Sequence, residues 1–242
     1  MQQRQEITWS PEQIARFWDY QSQRSSADEN YFSFARGAQI AKRTLGRIAP
    51  RRSPRILDLG CGTGHFLKHL SEARSDMLLY GIDFSPESIR IAQEACQSHI
   101  PSQHLVSIEG YPSPLQDASF DAVYSIEVVE HLSDIMLDSM VNEAHRLLKH
   151  GGYLVVTTPN DENLEVWHTC CPNCNSTFHI WQHVRSWTTR SLSQFMSTHG
   201  FTEISAKATF LEPLHIRLII WVARKFGIVK RQPPHIIAIY QK

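Results

Sequence analysis

A glycine-rich turn at residues 58–64 is the segment of this chain best suited to hold a ligand. It reads Asp58-Leu-Gly-Cys-Gly-Thr-Gly64, follows the apolar pair Ile56-Leu57, and precedes an apolar helical pattern that begins at Phe66. Glycine permits positive φ angles and lets a ligand approach the backbone closely. A strand–turn–helix unit also presents the N–H groups of a helix N-terminus. Asp58 restricts the kind of ligand that the turn can bind, because a carboxylate there repels a pyrophosphate and attracts a sulfonium or ammonium group.

A second acid follows this turn at a spacing typical of nucleoside sites. Asp83 ends the apolar run Leu78-Leu-Tyr-Gly-Ile-Asp83, about 20 residues after Gly62, where an acid commonly holds the ribose hydroxyls of a nucleoside. Ser85 and Glu87, which come next, are typical of a helix N-terminus. The two segments together predict a nucleoside site at the ends of two strands.

The order of these segments resembles the Rossmann-like methyltransferases that use S-adenosylmethionine. Asp58–Gly64 is similar to motif I of that family, and the resemblance covers about residues 54–160. Three further segments fit its third strand, its fourth strand and the turn into its fifth: Val106–Gly110, Ser119–Ile126 and Leu147–Thr158.

The resemblance implies where each part of the cofactor binds. The amino-acid head is expected at residues 58–62, the ribose at Asp83, and the adenine between Phe84 and residues 109–110. The family usually has Asp where this chain has Glu109. The implied cofactor-binding residues are Asp58, Gly60, Cys61, Gly62, Gly64, Asp83, Phe84, Glu109, Gly110 and Ile126.

A cluster of two acids and a histidine, Glu127-Val-Val-Glu130-His131, follows the predicted fourth strand. Ligands of open α/β sheets bind beyond the carboxyl ends of the strands, so the cluster should face the reaction site. If the segment is helical, its three polar side chains share one face. Two carboxylates and an imidazole that close together favour a divalent cation between them. The alternative is that the two glutamates line the pocket and His131 caps or packs.

The cluster also resembles the E-x-x-E-H segment of small-RNA 3′-terminal 2′-O-methyltransferases and ubiquinone-biosynthesis O-methyltransferases. In the RNA enzymes, T-P-N and a further histidine follow, and this chain has Thr158-Pro-Asn160 and His183. A hard cation can bind two neighbouring substrate oxygens and make a hydroxyl easier to deprotonate. The resemblance implies as ligands of Mg²⁺ or Mn²⁺ the residues Glu127, Glu130, His131 and His183. The catalytic candidates are His131, His183 and Glu127.

A rival metal site lies further along, in a segment rich in cysteine and histidine. Tetrahedral zinc favours such ligands, although zinc fingers separate their ligand pairs more widely. The competing interpretations are a thiol-bearing surface loop and a lid over the acceptor. The two metal hypotheses compete for His183. The zinc candidates are Cys171, Cys174, His179 and His183.

Alternating strand and helix patterns from residue 54 onward predict the fold that positions these groups. We expect a doubly wound α/β fold with a mostly parallel, seven-stranded Rossmann-like sheet and helices on both faces. Residues 51–242 would form this domain, with the Cys/His-containing loop inserted near residues 160–187. The predicted C-terminal elements are a helix at Thr188–His199, a strand at Phe201–Thr209, a helix near Pro213–Phe226 and a strand at His235–Gln241.

A leading segment, residues 1–50, is predicted to form a helical lid over the cofactor. Its helices are expected from Pro11 to Gln21, capped by Ser10, and from Tyr31 to Ile48. Core packing is the competing role for the aromatic residues of these helices. The lid candidates are Trp18, Tyr20, Tyr31 and Arg36.

Composition excludes several classes of partner. The formal net charge is zero, with 24 Lys and Arg against 24 Asp and Glu, so no global field attracts nucleic acid. The polar start lacks a signal peptide, and the apolar run 218–223 is shorter than the ~20 residues of a membrane span. We therefore expect a cytoplasmic enzyme with a small-molecule acceptor. The basic, apolar segment around that run would pack on the sheet or touch a membrane.

The expected function is methyl transfer from S-adenosylmethionine to an oxygen of a small hydroxylated acceptor, with metal assistance left open. Metal-independent N- or C-methylation is the alternative, and RNA 2′-O-methylation is disfavoured by the neutral charge. A non-catalytic nucleotide-binding module is the alternative from a different class. The sequence predicts neither the acceptor nor the oligomeric state.

Overall fold

The computed structural model describes residues 5–24, 32–48, 52–212, 216 and 233–242. The helices are α1 (Pro11–Ser22), α2 (Phe32–Ile48), α3 (His65–Ala73), α4 (Pro86–Cys96), α5 (Asp134–Leu147) and α6 (Thr189–Thr198). The first strands are β1 (Gln5–Glu6), β2 (Arg55–Leu59), β3 (Leu78–Asp83), β4 (Leu105–Ser107) and β5 (Phe120–Ile126). The later strands are β6 (Leu148–Pro159), β7 (His168–Cys170), β8 (Ser176–His179), β9 (Thr202–Thr209) and β10 (His235–Gln241).

The central sheet has seven strands in the order β4-β3-β2-β5-β6-β10-β9. The pairs from β4 to β6 are parallel, whereas β10 is antiparallel to both of its neighbours. The strand order reverses between β2 and β5, which is where open α/β sheets bind ligands. The predicted Rossmann-like, mostly parallel sheet is confirmed.

Helices cover both faces of this sheet, each over its own hydrophobic core. One core includes Ile40 of α2, Phe66 of α3 and Ala92 of α4, and the other includes Met140 of α5 and Met196 of α6. Parallel strands buried on both faces consist of nearly continuous apolar residues, as β2 and β5 do. The core therefore fixes the carboxyl ends of the strands as one rigid edge.

The leading helices differ in how they attach to the sheet. Ser10 caps α1 as expected, and its side chain accepts the N–H of Gln13. Ile40 and Ile48 of α2 are fully buried in the same core as α3. Tyr31 lies outside the described residues. The division of the chain at residue 50 stays a prediction.

The Cys/His-containing segment is a β-hairpin, where a loop was expected. A short 3₁₀ helix (Leu164–Trp167) leads into β7, which pairs antiparallel with β8, and β1 adds to β8 in parallel. The leading strand β1 therefore connects this hairpin to the N-terminal segment.

The predicted helix near 213–226 lies outside the described residues apart from Ile216. None of the described helices combines the length and apolar character that crossing a bilayer requires.

Candidate active site

A cavity of about 610 Å³ lies at the carboxyl ends of β2, β3, β5 and β6. Helix α1 covers it from one side, and the segment that follows β6 lines it from another. The cavity is large enough for a cofactor and part of a small acceptor, since ligand sites usually measure about 300–1,000 Å³. Both sequence clusters face it, the glycine turn through Asp58 and the second cluster through Glu130.

The glycine turn needs its glycines for backbone conformation and for packing. Gly60 and Gly64 have φ angles of 83° and 84°. A Cβ at Gly60 would lie 2.6 Å from Cγ2 of Val128, and one at Gly64 would lie 3.0 Å from Sγ of Cys96. Glycine is therefore needed at these two positions because neighbouring side chains pack against the backbone there. The sequence analysis expected a different reason, the close approach of a ligand.

Asp58 is a buried acid that lines the cavity, with 1% of the residue exposed. Among the residues that the structure describes, it has no ion-pair partner and its Oδ1 atom has no hydrogen-bond partner. Burial, together with the nearby charge of Asp83, raises the pKa of Asp58 to about 8. A ligand that brings a positive charge to this position would satisfy the carboxylate, so the donor set fits the ammonium or sulfonium of the expected cofactor.

Asp83 is better satisfied than Asp58. Its two oxygens accept the backbone N–H groups of Gly62 and Ser85, each at 2.9 Å. Burial raises the pKa of Asp83, and these two hydrogen bonds oppose the shift. Asp83 lies at the end of β3 and lines the cavity, where a ribose would meet it.

Most, but not all, of the implied cofactor-binding residues line the cavity. Glu109 and Gly110 are exposed and do not line it, and neither does Gly64. The neighbours Ile108 and Tyr111 lie there instead, and Tyr111 packs against Phe84 with ring centroids 5.4 Å apart. The residues that do line it are Asp58, Gly60, Cys61, Gly62, Asp83, Phe84 and Ile126.

The segment 127–131 contains a turn at residues 129–131 and is not helical, so the condition for a shared helical face is not met. Glu127 has a φ of 54°, and the N–H of His131 donates to the carbonyl of Val128 at 3.0 Å. The side chains of Glu127, Glu130 and His131 point to two different places. Glu127 turns toward His235, with 3.6 Å between Oε2 and Nδ1, whereas Glu130 and His131 meet His183.

Glu130, His131 and His183 form a potential metal-binding group. One ligand atom from each lies within 4.8 Å of the other two. Glu130 Oε2 accepts the hydroxyl of Thr158 at 2.9 Å, and Glu130 Oε1 has no hydrogen-bond partner. That free oxygen is 3.9 Å from Nε2 of His131. Glu127 does not belong to this group, so three of the four predicted ligands come together.

Burial dominates the electrostatics of this group. It raises the pKa of Glu130 well above the usual range, and the charge of Glu127 adds to the effect. Burial also lowers the pKa of His131 to about 3, with a further contribution from His183. His131 is therefore neutral at pH 7, which is the form of histidine that ligates metals.

The comparisons with known proteins agree with this geometry. Residues 28–206 match the family model described as "Methyltransferase domain". The chain belongs to the S-adenosylmethionine-dependent methyltransferase family. The prediction made from motif I is thereby confirmed at the level of the family.

The curated relatives of this methyltransferase cover part of it. A ubiquinone biosynthesis O-methyltransferase of Paracidovorax citrulli (strain AAC00-1) is 34% identical over 116 residues, which are 47% of each chain. A malonyl-[acyl-carrier protein] O-methyltransferase of Marinomonas sp. (strain MWYL1) is 30% identical over 133 residues, 54% of this chain and 48% of the relative. The chain thus spans about half the length of these relatives.

Solved structures share the fold of this methyltransferase at low identity. The [4+2]-cyclase SpnF has a TM-score of 0.68 and 17% identity, with 98% of both chains covered. A Burkholderia thailandensis 1,6-didemethyltoxoflavin-N1-methyltransferase, solved with its namesake compound and S-adenosylhomocysteine, has a TM-score of 0.63 and 14% identity, covering 98% of this chain and 92% of that one. Because a cyclase is among them, the shared fold does not by itself fix the reaction.

Helix α1 contacts both the segment that precedes α4 and the segment around His131. The Trp18 indole donates to Oε1 of Gln182 at 3.1 Å, and its ring centroid lies 5.0 Å from that of His131. One residue later, Asp19 accepts the hydroxyl of Ser85 at 2.5 Å. Of the other lid candidates, Tyr20 is 65% exposed, and Arg36 forms an ion pair with Glu212.

The structure does not bring the four predicted zinc ligands together. Cys171 and Cys174 lie in the turn between β7 and β8, where the Cys174 thiol is exposed and contacts Ser176. Among the described residues, two groups of three potential ligands occur, and neither contains a cysteine. The second of these groups joins His179 and His183 to Glu162, a residue that the sequence analysis missed.

Sequence reasoning missed Glu162 and His235, and the sequence offered a weak signal for the first of them only. Glu162 follows the Thr158-Pro-Asn160 segment by two positions, so the same motif could have suggested it. His235 begins β10 and lines the cavity because β10 pairs with β6, from His235 opposite Pro159 onward. No spacing in the sequence indicates that second contact.

Proposed function

We propose that this methyltransferase transfers the methyl group of S-adenosylmethionine to an oxygen of a small acceptor with neighbouring hydroxyl groups, assisted by a divalent cation. The observation that carries the proposal is the position of Glu130, His131 and His183, whose ligand atoms lie within 4.8 Å of one another in the cavity that also contains Asp58. The cation group and the acids expected to hold the cofactor therefore line one cavity.

The chemistry of Glu130 and His131 fits a cation. Glu130 Oε1 is buried without a partner, and a distance of 3.9 Å to His131 Nε2 is too long for a hydrogen bond. Two ligands of one metal ion, each about 2.1 Å from it, lie roughly 3 to 4 Å apart. Two imidazole nitrogens and one carboxylate suit Mn²⁺, Fe²⁺ or Zn²⁺ better than Mg²⁺, which prefers oxygen ligands.

The charges around the cavity support a neutral or cationic acceptor. Arg24 supplies the one permanently positive side chain among the described lining residues. The acidic lining repels a polyanion such as RNA, and a bound cation would reduce this repulsion without reversing it. The acidic lining residues are Asp58, Asp83, Glu127, Glu130, Asp161 and Glu162.

In the proposed mechanism, residues in different parts of the cavity have different roles. Asp58 and Asp83 would orient the cofactor, which supplies an electrophilic methyl group when bound. Glu130, His131 and His183 would hold the cation, which makes a nearby hydroxyl easier to deprotonate. Glu127 would accept the hydroxyl proton, because its Oε1 atom is buried, has no partner and lies on a cavity-lining residue.

A second candidate function is metal-free N-methylation of an amine. The same acidic lining would hold a protonated amine, and Ajmaline N-methyltransferase of Rauvolfia serpentina is 32% identical over 110 residues, 44% of this chain and 37% of that relative. In this case Glu127 and Glu130 would bind the acceptor directly. Metal dependence separates the two functions.

The decisive experiment is an acceptor screen with a metal-stripped enzyme. Catechols, sugars, amines and small RNAs would be incubated with labelled S-adenosylmethionine, with EDTA or with added Mn²⁺. We expect methylation of a hydroxylated acceptor that Mn²⁺ restores after EDTA treatment, and loss of that response in Glu130→Gln. Full turnover by metal-stripped protein would refute the metal-assisted reaction, and turnover of amines alone would support the second candidate.

A further inference from the structure

A chain of polar side chains connects His183 to Glu162 and His179. Glu162 Oε2 is 2.5 Å from Nδ1 of His183, which is a hydrogen bond. Glu162 Oε1 is 3.7 Å from Nε2 of His179, and the two imidazole rings stack with centroids 4.4 Å apart. His179 is buried, and Glu162 and His183 are partly buried, so water screens these contacts weakly.

The backbone fixes the proton of His179. Nδ1 of His179 accepts the N–H groups of Trp181 at 3.2 Å and His183 at 3.3 Å, so it must carry a lone pair. A neutral imidazole has one N–H, which places the proton on Nε2. That is the atom turned toward Glu162.

This proton position excludes a metal at the group formed by Glu162, His179 and His183. Nε2 of His179 could ligate an ion only if it also lost its proton, which would leave the ring an imidazolate. Nδ1 of His183 is already engaged with Glu162. The group is therefore a hydrogen-bonded support, even though its atoms are close enough to surround an ion.

We propose that Glu162 is a positioning residue that fixes the tautomer of His183. By accepting the Nδ1–H of His183, Glu162 leaves Nε2 of the same ring with its lone pair available to the cavity group of Glu130 and His131. A carboxylate behind a ligating histidine orients the ring and raises its basicity. This inference deepens the proposed function and rests on it for the role of Nε2, but the tautomer itself does not depend on a cation.

The test of the tautomer is nuclear magnetic resonance of the full chain with ¹⁵N-labelled histidine. We expect His183 to carry its proton on Nδ1, and the Glu162→Ala variant to shift it toward Nε2–H. The matched control is Glu165→Ala, which removes a side chain that is 85% exposed and whose nearest ion-pair partner, His168, is 4.0 Å away. The variant His183→Gln assigns the signals.

The wild-type spectrum alone can overturn the inference. An Nε2–H tautomer of His183 in the unaltered protein would do so, even if Glu162→Ala fails to fold. An unchanged tautomer in a folded Glu162→Ala variant, as shown by normal binding of S-adenosylhomocysteine, would also do so.

A second measurement connects the tautomer to the proposed cation. Mn²⁺ affinity in Glu162→Ala should fall by about 10- to 100-fold, the usual effect of removing the partner of a metal-ligating histidine. Glu162→Gln should recover part of it, because the amide oxygen can still accept the Nδ1–H. Absence of Mn²⁺ binding in the wild-type protein would refute the metal-assisted function. The tautomer result would then still confirm or refute the role of Glu162 in fixing the His183 ring.

Discussion

The two halves of the cavity are built in different ways. The half that we propose to hold the cofactor, here the cofactor half, comes from a short stretch of chain, and Asp83 receives its hydrogen bonds from the backbone of Gly62 and Ser85 nearby. The half that we propose to hold the acceptor, here the acceptor half, gathers Glu130, His183 and His235 from three distant segments. Among the described residues, both halves contain a buried carboxylate oxygen without a hydrogen-bond partner, Oδ1 of Asp58 in the first and Oε1 of Glu130 in the second. A local site can be recognised from spacing, whereas an assembled site depends on the packing of the whole domain.

The largest expected effect is a loss of turnover, without a loss of binding, when Glu127 in the acceptor half is replaced. Glu127→Gln should lower kcat by about 100- to 10,000-fold, because it removes the group that would accept the acceptor proton. Mn²⁺ affinity and S-adenosylhomocysteine affinity should stay within error of wild type, since Glu127 lies outside the cation group. Steady-state kinetics and calorimetry measure the two quantities.

The matched control is Glu109→Gln, an exposed glutamate outside the cavity. It should leave turnover and cofactor affinity unchanged. A Glu127→Gln enzyme with wild-type kcat would show that another group accepts the proton.

The next largest effect lies in the cofactor half. Asp83→Ala should weaken cofactor binding by about one to three kcal/mol, the cost of losing hydrogen bonds to a charged group. Calorimetry should show this loss with Mn²⁺ affinity unchanged, because Asp83 is outside the cation group. Asp76→Ala, two residues before β3 begins, serves as the control. Equal affinity of wild type and Asp83→Ala would place the ribose elsewhere.

A third variant probes the contact between the halves. Gly60→Ala should reduce the free energy of unfolding by about one to three kcal/mol, because a Cβ there combines a φ of 83° with a 2.6 Å contact to Val128. Adding Val128→Ala should restore the part of the unfolding free energy that is lost through the contact. The part lost through the positive φ should remain lost. Thermal unfolding of the single and double variants measures both. A fully recovered double variant would show that φ costs nothing there.

The pH dependence of Asp58 gives a smaller effect in the cofactor half. Its folded-state pKa of about 8 exceeds the ordinary 3.8, so the folded protein holds the proton more tightly than the unfolded chain. The resulting stability is complete below about pH 4 and is lost as pH rises toward 8. A cationic ligand favours the ionised carboxylate, so cofactor binding at pH 7 should release protons.

Calorimetry in buffers of different ionisation enthalpy measures that release. Proton uptake, or an enthalpy that does not depend on the buffer, would contradict the placement of a positive charge at Asp58. Urea unfolding of the ligand-free Asp58→Asn variant should show a smaller loss of stability between pH 4 and 8 than the wild type, because the part due to Asp58 is removed.

The smallest effect is expected in the cysteine turn. Cys171→Ser should change the melting temperature by less than about 2 °C, because the turn lies between β7 and β8, away from the buried cores. Elemental analysis of the purified wild-type protein accompanies the thermal scan. Stoichiometric zinc together with a clear drop in melting temperature would restore the zinc hypothesis, since structural zinc contributes directly to folding.

Strand and helix positions could be predicted well because each depends on a local pattern. The final strand was predicted at its observed bounds, His235–Gln241, and α6 within one residue at each end. The hairpin of β7 and β8 was missed, since its strands have three and four residues and one of them is completed by β1 from the other end of the chain. Short strands stabilised by distant pairing have little signal of their own.

The sequence by itself determined the fold family and predicted the acids of the cofactor half. Asp58, Gly62 and Asp83 are recognisable because one turn and two neighbouring strands place them through backbone geometry. The sequence also singled out Glu130, His131 and His183 through the resemblance of the E-x-x-E-H segment, and the structure brings these three residues together.

Tertiary structure alone decided which of the acceptor-half residues meet. In the structure, Glu127 lies near His235 and Glu162 is hydrogen-bonded to His183. The cysteines do not belong to either group of potential metal ligands among the described residues. The physical reason is that these contacts join residues far apart in the chain. Their distances follow from how the buried faces of the sheet and helices pack, and no local spacing records them.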